Sequence, residues 1–248
     1  INQVKPKNPI NIHLKINTGM NRLGFPPSKV KSLIQSLETS PYIGNIILMT
    51  HFANADEAIG VRDQLALFNK LVDDSFDRSV ANSAAIIRYP ETHMEWVRPG
   101  IMLYGASPFE DQSSQDIGLQ PVMSLHSNII AEQNLDKGQS VGYGSTFVAP
   151  NKMRVGIVAC GYADGYPRHA PSGTPVMVAG KISRTLGRVS MDMLYVDLTD
   201  IPSADIHSEV ELWGANISVD EVAKQAKTVG YELLCAISSS IRVPMEYT

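Results

Sequence analysis

Residues 10–16 read INIHLKI. Ile10, Ile12, Leu14 and Ile16 fall on one side of an extended chain, and Asn11, His13, Lys15 and Asn17 on the other. That alternation belongs to a strand with one apolar face. The segment that follows, TGMNRLGFPP (18–27), is a loop, after which Ser28 reads as the cap of a helix with Val30, Leu33, Ile34 and Leu37 at helical spacing. IGNIILMT (43–50) is a buried strand and HFANADE (51–57) a polar loop. A second amphipathic helix is expected over 61–76, with Val61, Leu65, Phe68 and Val72 on one stripe, and short strands over 79–82 and 96–103. Strand, loop and helix recur at α/β spacing, so a parallel sheet is favoured. Its strands end in polar clusters, and in a parallel (β/α) barrel the C-terminal strand ends carry the chemistry.

The pattern changes near residue 110, where FEDQSSQDIG (109–118) is polar and contains glycine. From 120 to 213 the runs are short and β-rich, separated by Gly, Pro and Asp turns. This is the pattern of an antiparallel β domain. One helix follows, opened by a capping box of Ser218 with Glu221 and ended near Gly230. The reading is an α/β domain over 1–112, built as part of a TIM-type (β/α) barrel, followed by a mainly antiparallel β domain over 113–248.

The bulk properties exclude several partners. Of 248 residues, 44% are apolar and 19% charged, with a net charge of −4. A chain of this charge has no electrostatic footprint for nucleic acid. No apolar run reaches the ~20 residues of a membrane span, and no secretory leader pattern is present. The two cysteines, Cys160 and Cys235, sit in apolar stretches without metal-ligand spacing, which points to buried free thiols and a cytoplasmic protein. Asp164, His169 and Asp192 fit no common metal spacing, so no metal is expected; Leu186 and Met193 read as core. The chain opens on Ile1 and runs almost directly into a sheet-interior pattern, as expected of a truncated or processed polypeptide.

Several segments have the residue types of a binding site. ANSAA (81–85) opens a helix whose first amides, with the Ser83 hydroxyl, can cradle a phosphate. RPGIMLYG (98–105) adds Gly100, where backbone amides can approach an anion closely. Tyr143 lies between Gly142 and Gly144 in VGYGST. A phenol has an ordinary pKa near ~10 and acts as a base at neutrality only beside cations. Arg22, His51 and Arg98 are candidates for that role. Taken singly, each segment reads first as an ordinary cap, turn tyrosine or hydrogen-bonded histidine.

Taken in order, TGMNRLGF, THFANADE, RPGIMLYG, VGYGSTF, GYADGYPR and GRVSMDM resemble the signatures of alanine racemase, a pyridoxal-phosphate (PLP) enzyme family, and the resemblance runs from about residue 10 to 244. It implies a TIM-type barrel with a β domain, a homodimer with shared active sites, and interconversion of L- and D-alanine for bacterial peptidoglycan. Tyr143 would be the catalytic base serving the partner subunit's site, and His51 would tune it. Arg98 would face the pyridine nitrogen, with Ser83, Gly100 and Ile101 at the phosphate. Arg22 would bind the substrate carboxylate region with Lys15 beside it, the lysine that many members carbamylate. Met191 and Asp192 match the substrate-side segment given by the other subunit, and Asp56, Tyr162, Arg168 and Arg188 the entrance lining.

The resemblance also marks two departures. The lysine that holds PLP lies, in the family, on the first barrel strand within a segment like VVKANAYGHG, and these 248 residues contain no such segment. The implied absent portion is the first half of the barrel, leaving 1–112 as its C-terminal half and the chain inactive alone. Some members place a Tyr before the RVP segment; here AISSSIRVP has Ile241. Two alternatives remain at this stage: a PLP-dependent amino-acid decarboxylase of the same fold type, or a non-catalytic dimerisation fragment.

Overall fold

A computed structural model describes residues 3–238; Ile241 and the RVP segment lie outside the described residues. The chain divides into two compact units, Ile1–Met102 and Leu103–Thr248. FEDQSSQDIG lies within the second. Among the described residues, no helix is long and apolar enough to cross a membrane.

In the first unit, strand β1 (Ile10–Lys15), helix α1 (Val30–Glu38), β2 (Ile43–Met49), α2 (Arg62–Leu71), β3 (Asp77–Ser79) and α3 (Ser83–Arg88) follow in chain order. The three strands form one parallel sheet in the order β1-β2-β3. Lys15 sits opposite Met49, and Met49 opposite Ser79, so the C-terminal ends of all three strands are level. The expected alternation is present at the inner end of β1: Leu14 and Ile16 are buried, while His13 is exposed. Ile46, Ile47, Leu48, Phe52, Phe68 and Val80 complete the core.

Several local expectations are corrected. Ser28 does not cap a helix. Pro26 and Pro27 start a short 3-10 turn at Pro27–Lys29, and Lys29 precedes α1 without a side-chain cap. α2 stops at Leu71 because the chain turns extended at Val72, before an Asx turn in which Asp73 accepts from the Ser75 N–H. β3 ends at Ser79 because Asn82 caps the next helix, its side chain accepting from Ala85 N–H. Residues 96–103 form no strand. Trp96 and Arg98 donate to the carbonyls of Arg78 and Ala81, but Pro99 has no N–H and the Gly100 N–H turns to the Ser83 hydroxyl. A helical turn at Ile101–Tyr104 follows.

The second unit holds β4 (Leu125–Leu135), β5 (Ser140–Val141), β6 (Phe147–Val148), β7 (Met153–Val158), β8 (Pro175–Val178), β9 (Lys181–Leu186), β10 (Leu194–Asp197), β11 (Glu209–Trp213), α4 (Val219–Gln225) and α5 (Gly230–Ser238). The antiparallel expectation gains a closure that the sequence did not specify. Six strands form a barrel in the order β10-β7-β4-β11-β8-β9, and β9 pairs back onto β10. Val176 and Val178 in β8, and Leu194 and Val196 in β10, point inward at a period of two. Trp213 stacks on Tyr166 inside, ring centroids 5.9 Å apart. Leu186 is core, but Met193 is 40% exposed, in a loop rather than inside the barrel. Ser218 does cap α4. The helix ends at Gln225 instead of near Gly230: Lys227 takes the left-handed conformation, and the Thr228 N–H bonds the Ala223 carbonyl. Gly230 starts α5.

Candidate active site

In the first unit the site residues gather where the level ends of β1, β2 and β3 open into loops. Arg98 is the best-anchored of them. Its Nη1 donates to the carbonyl and hydroxyl of Ser79 at 2.6 and 2.7 Å, and its Nη2 to the Thr50 carbonyl at 2.6 Å and the Val80 carbonyl at 3.3 Å. Both strand ends thus grip one guanidinium through oxygens that carry no net charge. Among the described residues no carboxylate shares it, and burial pulls its pKa below the usual arginine value.

Lys15 and Arg22 lie near it. The Lys15 ammonium is lowered by burial first, then by Arg22 and Arg98. His51, half-buried at the end of β2, is pushed down to about 4, chiefly by burial and then by Arg98, Arg22 and Lys15. The imidazole is therefore neutral at pH 7, and the cluster holds three cations. A shallow cleft lined by Lys15, Asn17, Met20, Leu23, Thr50 and His51 opens on it. Such a concentration of positive charge favours an anion.

Two loops beside it have the amides for a phosphate. Buried Ser83 is the first residue of α3, and its Oγ accepts from the Gly100 N–H at 2.7 Å. That bond uses a lone pair and leaves the hydroxyl proton to donate elsewhere. The first amides of α3 and of the turn at Ile101 precede any intrahelical bond. Asp56 is exposed, with its carbonyl accepting from Arg88.

In the second unit the short β5–β6 pair carries a turn, Tyr143–Ser145, at its tip. Gly142 and Gly144 have φ of 77° and 73°, a conformation that side chains resist, and Tyr143 between them is 69% exposed. The Arg188 guanidinium packs on this turn: a Cβ at Gly144 would lie 3.3 Å from its Nη1. Sequence reasoning placed Arg188 at the entrance only and missed its position beside the tyrosine turn.

GYADGYPR and GRVSMDM meet in this unit. The N–H groups of Tyr162 and Ala163 donate to the carbonyls of Ser190 and Met191 at 3.1 and 2.9 Å. A Cβ on Gly161 would come within 2.3 Å of the Met191 oxygen. Arg168 lies over the Tyr162 ring at 5.9 Å from its centroid, and Met191 and Asp192 are exposed on the loop between β9 and β10. The structure therefore brings Lys15, Arg22, His51, Ser83, Arg98, Gly100 and Ile101 together in one unit, and Tyr143, Tyr162, Arg168, Arg188, Met191 and Asp192 in the other. The sequence reading missed Thr50, Ser79 and Asn82. Asn82 alone had a local signal, a capping residue type directly before a helix.

Comparison with known proteins separates this arrangement from a chance grouping. The pattern described as "Alanine racemase, N-terminal domain" matches residues 1–108, and "Alanine racemase, C-terminal domain" matches 122–247. The chain belongs to the alanine racemase family. Members are amino-acid racemases, a class of isomerase. The alanine racemase of Burkholderia mallei (strain ATCC 23344) is 53% identical over 240 residues, covering 96% of this chain and 67% of that protein. That of Thiobacillus denitrificans is 52% identical over 247 residues, covering 99% and 67%. Among solved structures, the biosynthetic alanine racemase from Pseudomonas aeruginosa aligns with a TM-score of 0.94 at 48% identity, covering 99% of this chain and 69% of that one. The Acinetobacter baumannii alanine racemase aligns at 0.87 and 43% identity, covering 93% and 65%. The chain thus spans about two thirds of the length of the relatives it matches.

Proposed function

We propose that this chain forms part of an enzyme interconverting L- and D-alanine with PLP, in a cytoplasmic homodimer that supplies D-alanine for peptidoglycan. The observation that carries the reading is the cationic cluster of Lys15, Arg22 and Arg98 around a neutral His51, at the level ends of three parallel strands. An amino-acid carboxylate and a phosphorylated cofactor are both anions that such a cluster attracts.

The residues present fit PLP. The Ser83 hydroxyl has a proton to give, and the backbone at Gly100 and Ile101 stands beside it; these would hold the phosphate. Arg98, fixed by four oxygen contacts, would face the pyridine nitrogen. When bound, PLP supplies an electron sink for the charge left as the α-proton departs. A guanidinium in place of a carboxylic acid at the ring nitrogen offers a proton that it does not readily give up, which moderates the sink and suits proton exchange over decarboxylation. Arg22, with Lys15 beside it, would bind the substrate carboxylate. Tyr143, presented on a glycine-flanked turn, would take or return the α-proton in the partner subunit's site, with the Met191–Asp192 segment on the substrate side.

In this reading the three-stranded sheet is part of a (β/α) barrel, residues 1–112 bind the cofactor and 113–248 form the β domain. The PLP-holding lysine of the family pattern has no counterpart in the 248 residues, so activity requires the segment that bears it.

The test is α-hydrogen exchange with solvent deuterium, measured beside racemisation, by this chain together with the family's lysine-bearing segment, loaded with PLP and started from each enantiomer. Tyr143→Phe should slow abstraction from one enantiomer by about 10²–10⁴-fold and spare exchange from the other. A small, equal loss of α-hydrogen exchange from the two enantiomers would remove Tyr143 from the role. Carbon dioxide release would replace racemase with decarboxylase.

A further inference from the structure

Lys15 ends β1, and the loops after β1 and β2 carry Arg22 and His51. The first loop is closed at its foot by backbone pairing of Ile16 with Phe25, and side chains join it to the second. Gln64 bridges them, alongside the Thr18–Thr50 hydroxyl pair. Gln64, on α2 and 9% exposed, accepts from the Ala53 N–H through Oε1 at 2.8 Å. Through Nε2 it donates to the Thr18 hydroxyl at 3.0 Å and the His51 carbonyl at 3.2 Å. The amide orientation is fixed by these partners, because a reversed amide would set oxygen against the His51 carbonyl.

The hydroxyls beyond it are ordered in one direction. Thr50 Oγ1 donates to the Ile16 carbonyl at 2.9 Å, which uses its only proton. In the 2.7 Å contact between the Thr18 and Thr50 hydroxyls, Thr18 must therefore be the donor, and it accepts from Gln64. The chain runs Gln64 to Thr18 to Thr50 to Ile16, with every proton placed. Thr50 is also the residue whose carbonyl grips Arg98 at 2.6 Å. Thr18 and Thr50 are buried, so this network is shielded from water.

We infer that Gln64 is a positioning residue, whose amide holds the loops after β1 and β2 in register and so fixes His51 against the cationic cluster at Arg98. Gln64 touches no reacting group itself; it acts through Thr18, the His51 backbone and Thr50. The groups facing the His51 ring are Lys15 from β1, Arg22 from the loop after it, and Arg98 from the segment after β3. Any slackening between the loops lets water reach the imidazole and moves it away from these charges. The kinetic part of the inference rests on the racemase reading; the structural part does not.

The experiment compares wild type with Gln64→Met, which keeps the volume but removes the three hydrogen bonds. Imidazole NMR follows the His51 titration in the chain itself, thermal melting follows stability, and racemisation is measured in the PLP-loaded preparation. In Gln64→Met the His51 midpoint should rise by about one pH unit or more toward its ordinary value. Activity should lose about tenfold or more in kcat, with KM changed less than about threefold. Thr18→Val should move both readouts the same way by less, and the double variant should show no more than the larger single effect, as members of one network do. A lower melting temperature with His51 titration and kcat both unchanged would reduce Gln64 to a packing residue and overturn the inference. Should Gln64→Met fail to fold, Thr18→Val decides by the same readouts. If wild type does not racemise alanine, the functional reading falls, and the His51 titration still decides the place of Gln64.

Discussion

A proton on half-buried His51 would add positive charge beside Lys15, Arg22 and Arg98. The folded protein resists it and holds this histidine at about 4, against 6.5 for the free side chain. The unfolded chain has no such objection. Between those two values the unfolded state binds more protons, so stability rises with pH across that window and falls as the solution is acidified through it. Below about 4 the loss is complete, and above 6.5 the group contributes nothing further. His51→Asn should therefore flatten the pH dependence of the unfolding free energy between pH 4 and 6.5 relative to wild type. Denaturant titrations at closely spaced pH values measure the difference, and parallel profiles for the two proteins would show that His51 is not depressed. Glu95 acts in the same sense over a lower window, held down to about 2 mainly by its hydrogen bonds with Arg78, so its contribution is also lost on acidification. Its effect is common to both proteins and cancels.

Elements here are held to their tasks by single close contacts, which makes them sensitive to one atom. Gly161 has φ of −146°, an extended backbone open to any residue, so its glycine is required by space alone. A methyl group there meets the Met191 carbonyl at 2.3 Å. Gly161→Ala should push the Tyr162 loop off the Met191 loop and cost about 1–3 kcal/mol of stability, as overpacking does. Thermal unfolding measures it, and an unchanged melting temperature would show the two loops to be free of one another. Asn82→Ala should cost about 1 kcal/mol through loss of the α3 cap and weaken phosphate binding beside Ser83, read by titration with inorganic phosphate.

These elements also show what could be read in advance. β1 was legible because a two-residue period needs only neighbours. Lys15, Ser83 and Tyr143 were legible as candidates because each sits in a local pattern. The grip on Arg98 was not, since its partner Thr50 lies 48 residues away. Nor was the Gln64–Thr18 bond, which spans 46. The segment 96–103 misled because it has the apolar character of a strand, while Pro99 and the diverted Gly100 amide deny it a ladder. Barrel closure depends on β9 finding β10 at Leu186 opposite Tyr195, a register that no run of residues announces.

At the scale of the whole molecule, the two units divide the chemistry between them. One carries the cationic cluster and the loops at Ser83 and Gly100; the other carries the tyrosine turn and the Met191–Asp192 loop. If each active site of the proposed dimer takes its cluster from one copy and its tyrosine from the other, two different inactive variants should repair each other. Tyr143→Phe spoils the base and leaves the cluster. Arg98→Lys spoils the cluster, because an ammonium cannot reach the oxygens of Ser79 and Thr50 together, and leaves the base. A mixed dimer then holds one site with both defects and one with neither. With equal amounts and random exchange, half of the dimers are mixed, so activity should recover to about a quarter of wild type in a closed two-fold assembly. Recovery should follow the rate of subunit exchange and vanish when the dimers are cross-linked before mixing. Mixtures no more active than the better single variant would mean that base and cluster meet within one chain, and the shared-site arrangement would have to be given up while the racemase reading stood.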